Sequence, residues 1–155
     1  MKSYPKLIIS VIITLSAGFL GSFFTSSSID TWYASLNKPS FNPPNWLFAP
    51  VWTSLFILIG ISFYLVWRKN FGGRRNLAVG VYSIQLSLNL LWSFFFFGLE
   101  NPFFALMEII LLWAFILANM NIFYKISKPA AFLLLPYLFW VSFALILNYF
   151  IFKLN

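Results

Sequence analysis

The chain has 155 residues, of which 61% are hydrophobic and 8% charged, with ten Lys and Arg against three Asp and Glu for a net charge of +7. A water-soluble domain carries about 25% charged residues, because its surface has to be solvated; this chain cannot cover such a surface. It has no Cys and no His, which excludes disulfides, thiolate or imidazole metal sites, His-ligated haem and Ser-His-Asp or Cys-His nucleophilic machinery. Three acids are too few for a carboxylate metal cluster, so no metal site is expected.

The charges are spaced by long apolar runs. Residues 7–29, 39–67, 76–99 and 129–152 contain no Lys, Arg, Asp or Glu, and 101–124 contains only Glu108. A hydrocarbon core of about 30 Å needs about 20 apolar helical residues to cross it. Five spans fit, at about 7–24, 47–67, 77–97, 103–124 and 130–152. Lys2 and Lys6 before the first run resemble a signal peptide, but the run is long and no A-x-A-like cleavage site follows, so it is read as a retained span. A long connector, 25–46, rich in Ser, Asn and Pro, leads to span two. A basic turn from Arg68 to Arg75 follows. Span three ends at Gly98 to Asn101, and Pro102 suits the first turn of span four, where its missing N–H has no partner to lose.

The spans must be helices, since open strands would leave backbone groups unpaired in lipid and the runs lack barrel alternation. The fold class is therefore all-α, an integral membrane bundle of five transmembrane helices in one domain over 1–155. The two halves show no repeat, and five spans do not suit duplicated halves, which argues against a secondary transporter. Basic residues number eight on one side (Lys2, Lys6, Arg68, Lys69, Arg74, Arg75, Lys125, Lys128) and two on the other (Lys38, Lys153). An excess of Lys and Arg marks the cytoplasmic side. The expectation is a cytoplasmic N-terminus, with the first connector and the C-terminus outside. Basic residues placed this way serve topology, and no nucleic-acid partner is implied.

Polar residues inside spans need partners, so they are informative. Gln85, Asn89, Trp92, Ser93 and Phe96 share one helical face by their offsets, as do Tyr137, Trp140, Ala144, Leu147 and Asn148. Glu108, Leu112, Phe115 and Asn119 form a third stripe, and Trp52, Phe56, Ile59 and Phe63 a fourth. Together they suggest a polar-aromatic cavity, although such stripes also tie helices together at about 0.6 kcal/mol per hydrogen bond. Trp67, Tyr4 and Tyr124 suit the membrane interfaces. Glu108 is expected either at the polar boundary or neutral and bonded to Asn89 or Asn119. The segment from Trp32 to Trp46 combines aromatics with Pro39, Pro43 and Pro44; proline restricts it and the residue before it, and a stiff aromatic connector reads as a lid over the bundle mouth.

Trp32-Tyr33-x-x-Leu36-x-Lys38-Pro39-Ser40-x-x-Pro43-Pro44, followed by Phe48-x-x-Val51-Trp52-x-x-Leu55, resembles the TspO/MBR family of tryptophan-rich sensory and translocator proteins. The resemblance continues through Gln85-x-x-x-Asn89-x-x-Trp92-Ser93-x-x-Phe96-Phe97-Gly98 and Pro136-Tyr137-x-x-Trp140-x-x-Phe143-Ala144-x-x-Leu147-Asn148. It implies a five-helix, often dimeric membrane protein binding porphyrins, sterols and synthetic benzodiazepine-type ligands beneath loop one. Carried over by motif, the ligand-binding residues would be Tyr33, Pro43, Phe48, Trp52, Asn89, Trp92, Ser93, Phe96, Trp140, Phe143, Ala144 and Leu147. Indole faces offer stacking area, and indole and amide N–H groups can meet a carbonyl or carboxylate; Lys38 could pair with a propionate.

The resemblance also implies a sterol motif, met by Leu145, Tyr149 and Lys153, but Leu58, Tyr64 and Arg68 satisfy the same loose pattern. For a homodimer, small residues that let helices approach occur at Ala17-x-x-x-Gly21, Gly18-x-x-x-Ser22 and Gly80-x-x-Ser83. The expected protein is a receptor or translocator of a bacterial cell membrane, taking porphyrin as ligand and requiring no cofactor. The alternatives are a light- and oxygen-dependent porphyrin-degrading enzyme, with Trp52 and Trp140 as the redox-active candidates, and a sterol-binding or structural membrane protein.

Overall fold

The computed structural model describes residues 4–155. Five helices are long and apolar enough to cross a membrane, and no strand occurs among the described residues. Helix α1 spans Tyr4–Ser28, a short α2 Trp32–Ser35, α3 Asn45–Arg68, α4 Arg75–Ser93 with a π-helical extension Phe94–Gly98, α5 Pro102–Tyr124, α6 Lys128–Phe132 and α7 Leu135–Leu154. Helix α1 packs on α3, α4 and the π turn; α4 packs on α5, and α5 on α6 and α7. The two ends of the bundle differ in kind. One carries the basic turns, and the other carries the 29–44 connector.

Three departures from the expected spans have local causes. Helix α1 runs past Phe24 to Ser28, so the connector is shorter than 25–46. The polar Ser27 stays helical because its hydroxyl donates to the Phe24 carbonyl at 2.8 Å, and Ser28 donates to the Phe97 carbonyl of the π turn at 2.7 Å. Span five is broken at Leu133 and Leu134 into α6 and α7. Pro136 has no N–H to offer residue 132 and its ring crowds that carbonyl, so the helix cannot run straight through. Helix α4 ends in a π turn, with Leu99 N–H donating to the Phe94 carbonyl at 2.8 Å and Asn101 N–H to the Phe95 carbonyl at 3.1 Å. Phe96 and Phe97 of this turn are both buried.

Close helix approach is arranged by glycine. A Cβ on Gly60 would lie 2.7 Å from Thr14 Oγ1 and 2.8 Å from Val11 Cα, so α1 and α3 touch backbone to backbone there. Thr14 fastens the crossing by donating to the Phe56 carbonyl across it at 2.8 Å. From that crossing α1 leans toward the π turn, where Phe24 lies against Gly98. A gap between α1 and α3 opens at the connector end. At the basic end the turn after α3 places Asn70, Phe71, Gly72 and Gly73 at positive φ. Phe71 tolerates this because its ring is buried against Phe63 and Trp67.

The Asn101 side chain caps α5 by accepting from Phe104 N–H at 3.0 Å, with Pro102 at the first helical position.

A tryptophan-walled cavity beneath the connector

The gap between α1 and α3 leads into a cavity of about 580 Å³, within the ~300–1,000 Å³ of small-molecule sites. Its wall contains Tyr33, Phe48, Trp52, Asn89, Trp92, Ser93, Phe96, Trp140, Phe143, Ala144 and Leu147. Pro43 is not on it. The connector reaches the cavity through Ile29 and Tyr33 instead, while Pro43 and Pro44 shape the chain entering α3, where Pro44 is extended.

The four polar-aromatic stripes divide. Those of α4 and α7 contribute Asn89, Trp92, Ser93, Phe96, Trp140, Ala144, Leu147 and Asn148 to the wall. In the α3 stripe only Trp52 and Phe56 face it; Ile59 and Phe63 lie in the apolar core beneath. The α5 stripe of Glu108, Leu112, Phe115 and Asn119 contributes nothing, because α5 stands behind α4 and α7. Helix α1 is the wall that spacing did not single out. Ala17, Gly18, Gly21 and Ser22 border the cavity, so these small residues are used within the chain, where Gly18 lies against the Phe56 ring and Gly21 against Ser93. Gly80 has open space around it and Ser83 is exposed.

The aromatic rings form a continuous lining. Trp52 and Trp140 meet edge to face at 6.5 Å and 86°, and Phe48 meets Trp140 at 6.3 Å and 69°. On the opposite wall Trp92 stacks on Phe96 at 5.1 Å and 24°. Such pairs hold rings in fixed orientations at about 0.5–1.5 kcal/mol each. Polar capacity is partly spent inside the wall. Trp92 Nε1 donates to Asn148 Oδ1 at 3.0 Å, and Asn148 Nδ2 donates to the Pro102 carbonyl at 2.9 Å. Asn89 Nδ2 donates to the Tyr137 hydroxyl at 2.7 Å, which donates to Gln85 Oε1 at 2.9 Å. Trp140 Nε1 is buried with no acceptor among the described residues. An unpaired buried donor costs free energy, which an acceptor on a ligand would recover.

The connector is a folded lid. The Tyr33 hydroxyl donates to Asn42 Oδ1 at 2.7 Å, closing the loop across nine residues. Burial pushes the Tyr33 phenol up to about 12 from 10.0, with the Asn42 hydrogen bond acting the other way. Lys38 Nζ donates to the carbonyls of Tyr33 at 2.8 Å and Leu36 at 3.2 Å and sits 4.8 Å from the Tyr33 ring centre. Lys38 is thus a strut of the lid, with two of its three N–H donors spent on the lid's own carbonyls. Phe41 packs on Phe143 and Phe150.

Two other readings are placed as follows. Leu145 is half-buried, whereas Tyr149 and Lys153 are exposed on the outside of α7 with Lys153 over the Tyr149 ring at 6.0 Å; this set lies off the cavity. Glu108 is bonded to neither Asn89 nor Asn119. Asn89 serves Tyr137, and Asn119 has no partner of its own among the described residues. No cluster of metal-ligating side chains occurs among the described residues.

The sequence pattern of the TspO/MBR family matches residues 10–154. The chain is 48% identical over 158 aligned positions to the tryptophan-rich protein TspO of Chlorobaculum tepidum, covering 99% of this chain and 98% of that one. It is 42% identical to the translocator protein of Bos taurus over 85% of this chain and 79% of that one. The tryptophan-rich sensory protein of Cereibacter sphaeroides is 37% identical over 81% of this chain and 78% of its own. With five membrane-length helices, a lidded aromatic cavity and this similarity along its whole length, the chain is an integral membrane protein of the TspO/MBR family.

Proposed function

We propose that the protein is a membrane receptor or translocator that takes flat, carboxylate-bearing aromatic ligands of the porphyrin class into the cavity beneath the lid. The observation that carries this reading is the cavity wall itself. Trp52, Trp92 and Trp140 offer indole faces, and Trp140 keeps an unspent N–H donor. Stacking on indole suits a planar apolar body, and a buried donor suits a carbonyl or carboxylate. The basic end is taken as cytoplasmic, which puts the lid outside. Gly80 and Ser83 are the small-residue face taken for a homodimer, a Cβ on Gly80 meeting nothing within 4 Å among the described residues.

The test is a titration of protoporphyrin IX into detergent-purified protein, followed by tryptophan quenching in wild type and Trp140→Phe. The expected result is saturable binding, weakened in the variant by roughly five-fold, the equivalent of one hydrogen bond of about 1 kcal/mol. Binding that the substitution leaves unchanged would place the porphyrin in the micelle or on the surface and remove the cavity as its site. Illumination of the complex in air separates binding from degradation. Trp52 and Trp140 are the redox-active candidates on the cavity wall, and loss of the porphyrin spectrum dependent on them would favour the enzyme.

A further inference from the structure

Glu108 is the only carboxylate or basic residue within its span, and it lies outside the cavity just described. It is 8% exposed, and neither carboxyl oxygen has a hydrogen-bond partner among the described residues. Six residues into α5, it sits about 9 Å along the helix from Pro102. The groups packed around α5 include no counter-charge near it. From α4 comes Tyr82, with Arg75 far off at the basic end; from α7 comes Tyr137, with Lys153 at the lid end. Helix α6 brings Lys128 at the basic end, the π turn brings no titratable group, and α5 itself adds only Tyr124 at its basic end.

An ionised carboxylate without a counter-charge in a membrane interior is costly enough that such a group ordinarily takes up a proton. The surroundings can hold a neutral acid. Tyr137 is within electrostatic reach of Glu108. Farther along the α4–α5–α7 interface Gln85 Nε2, the Tyr82 hydroxyl and the Asn119 amide also have unspent hydrogen-bonding capacity. Glu108 and Asn119, eleven residues apart, share one face of α5.

We propose that Glu108 is a proton-binding site inside the membrane, occupied in the ligand-free protein, and that an anionic ligand in the cavity strengthens its hold on the proton. Only the second half rests on the cavity being the ligand site. The cavity wall that faces α5 and α7 carries polar groups: Asn89 lines the cavity and donates to Tyr137, which also touches Trp52 edge to face at 6.4 Å. Negative charge brought to the cavity opposes ionisation of Glu108. At a separation on the order of 10 Å and an effective dielectric constant of about 20, the effect is about one pH unit. By linkage, a carboxylate ligand binds more tightly when Glu108 is protonated.

The chain contains two glutamates, Glu100 and Glu108, so carboxyl carbon-13 NMR of glutamate-labelled protein in nanodiscs reads them individually. Glu100 is exposed, its one side-chain hydrogen bond among the described residues a long one of 3.5 Å from the Ser28 hydroxyl, and Glu100→Gln, which keeps an acceptor there, assigns the signals. The expected result in ligand-free protein at pH 7 is a protonated Glu108; an ionised Glu108 overturns the site. Protoporphyrin IX is expected to raise the Glu108 titration midpoint by about one pH unit, and its dimethyl ester, which has no carboxylate, to leave it in place. An equal effect of acid and ester, or none from the bound acid, overturns the link. If neither compound binds, the link falls together with the porphyrin reading, whereas the proton site is decided by the ligand-free spectrum. Glu108→Gln, the shape of the neutral acid, is expected to abolish the pH dependence of porphyrin affinity.

Discussion

The side-chain amide of Asn155 clasps the backbone of Asn37 on both sides. Asn155 Oδ1 accepts from Asn37 N–H at 3.1 Å, and Asn155 Nδ2 donates to the Asn37 carbonyl at 2.9 Å. The Asn37 side chain adds a bond to the Leu154 carbonyl at 3.4 Å. One residue at the end of α7 therefore latches the lid, which is otherwise held by its own Tyr33–Asn42 closure and by Phe41 on Phe143 and Phe150.

Removing the latch loosens the lid without altering the cavity. Asn155→Ala forfeits three side-chain hydrogen bonds, two to Asn37 and one to the Ile151 carbonyl, about 1 kcal/mol net for the exposed pair that holds the lid. Ligand dissociation is expected to speed up by roughly five-fold with little change in the absorbance of the bound state. Hydrogen exchange at Asn37 should rise in parallel. Unchanged exchange there would show that the latch carries no weight.

The α1–α3 crossing tolerates no side chain at Gly60, where the added Cβ would meet the Val11 backbone at 2.8 Å. Gly60→Ala is expected to lower stability by about 1–3 kcal/mol, the usual cost of overpacking. A thermal scan in detergent measures it. Gly80→Ala, measured on monomeric protein, is the matched control, since its Cβ meets nothing among the described residues and gains helix propensity of about 1 kcal/mol. If Gly60→Ala melts no lower than Gly80→Ala, the tight crossing is refuted.

The lid should respond to alkaline pH through Tyr33. Its phenol lies at about 12 in the folded lid against an ordinary value of 10.0, because burial disfavours the phenolate. The open lid therefore releases the proton first, so closure is unaffected below about pH 10 and weakens as pH rises from about 10 toward 12. Lid opening, followed by a fluorophore on an exposed position such as Ser35, should increase over that window. Tyr33→Phe should be pH-independent there, though looser at all pH for want of the Asn42 bond. A Tyr33→Phe lid with the same alkaline response would assign the effect elsewhere.

With no His or Cys in the sequence, haem iron gains no strong axial ligand. Metal-free protoporphyrin IX is expected to bind at least as tightly as haem in parallel titrations. A five-fold preference for haem, about 1 kcal/mol, would require an iron ligand of another kind.

Much of the molecule was legible in the residues. Charge-free runs dictated five spans, because a helix is the structure that can bury its backbone in lipid. Trp52, Asn89, Trp92 and Trp140 could be grouped from helical offsets because a regular helix preserves them. The rules failed where the helix is irregular or where a helix's neighbour matters. The break before Pro136 and the π turn at Phe94–Gly98 interrupt the period that offset arithmetic assumes. Pro43 belongs to the conspicuous lid motif, yet lid position does not say which side chains point down. Lys38 looked available, but it folds back onto carbonyls two and five residues away.

What the sequence by itself determined was the class of environment and the material of the site: a chain too poor in charge for water, helices as its form in lipid, indoles and amides in place of acid, imidazole or thiol. Those follow from composition and from local periodicity. What only the tertiary structure decided was partnership. Gly60 lets α1 cross α3 in backbone contact, and helix packing makes the small residues of α1 a wall of the cavity. The same packing sets α5 behind α4 and α7, leaving Glu108 buried. A helix's period gives the direction of its side chains relative to one another, but which neighbour each face meets depends on contacts between residues remote in sequence.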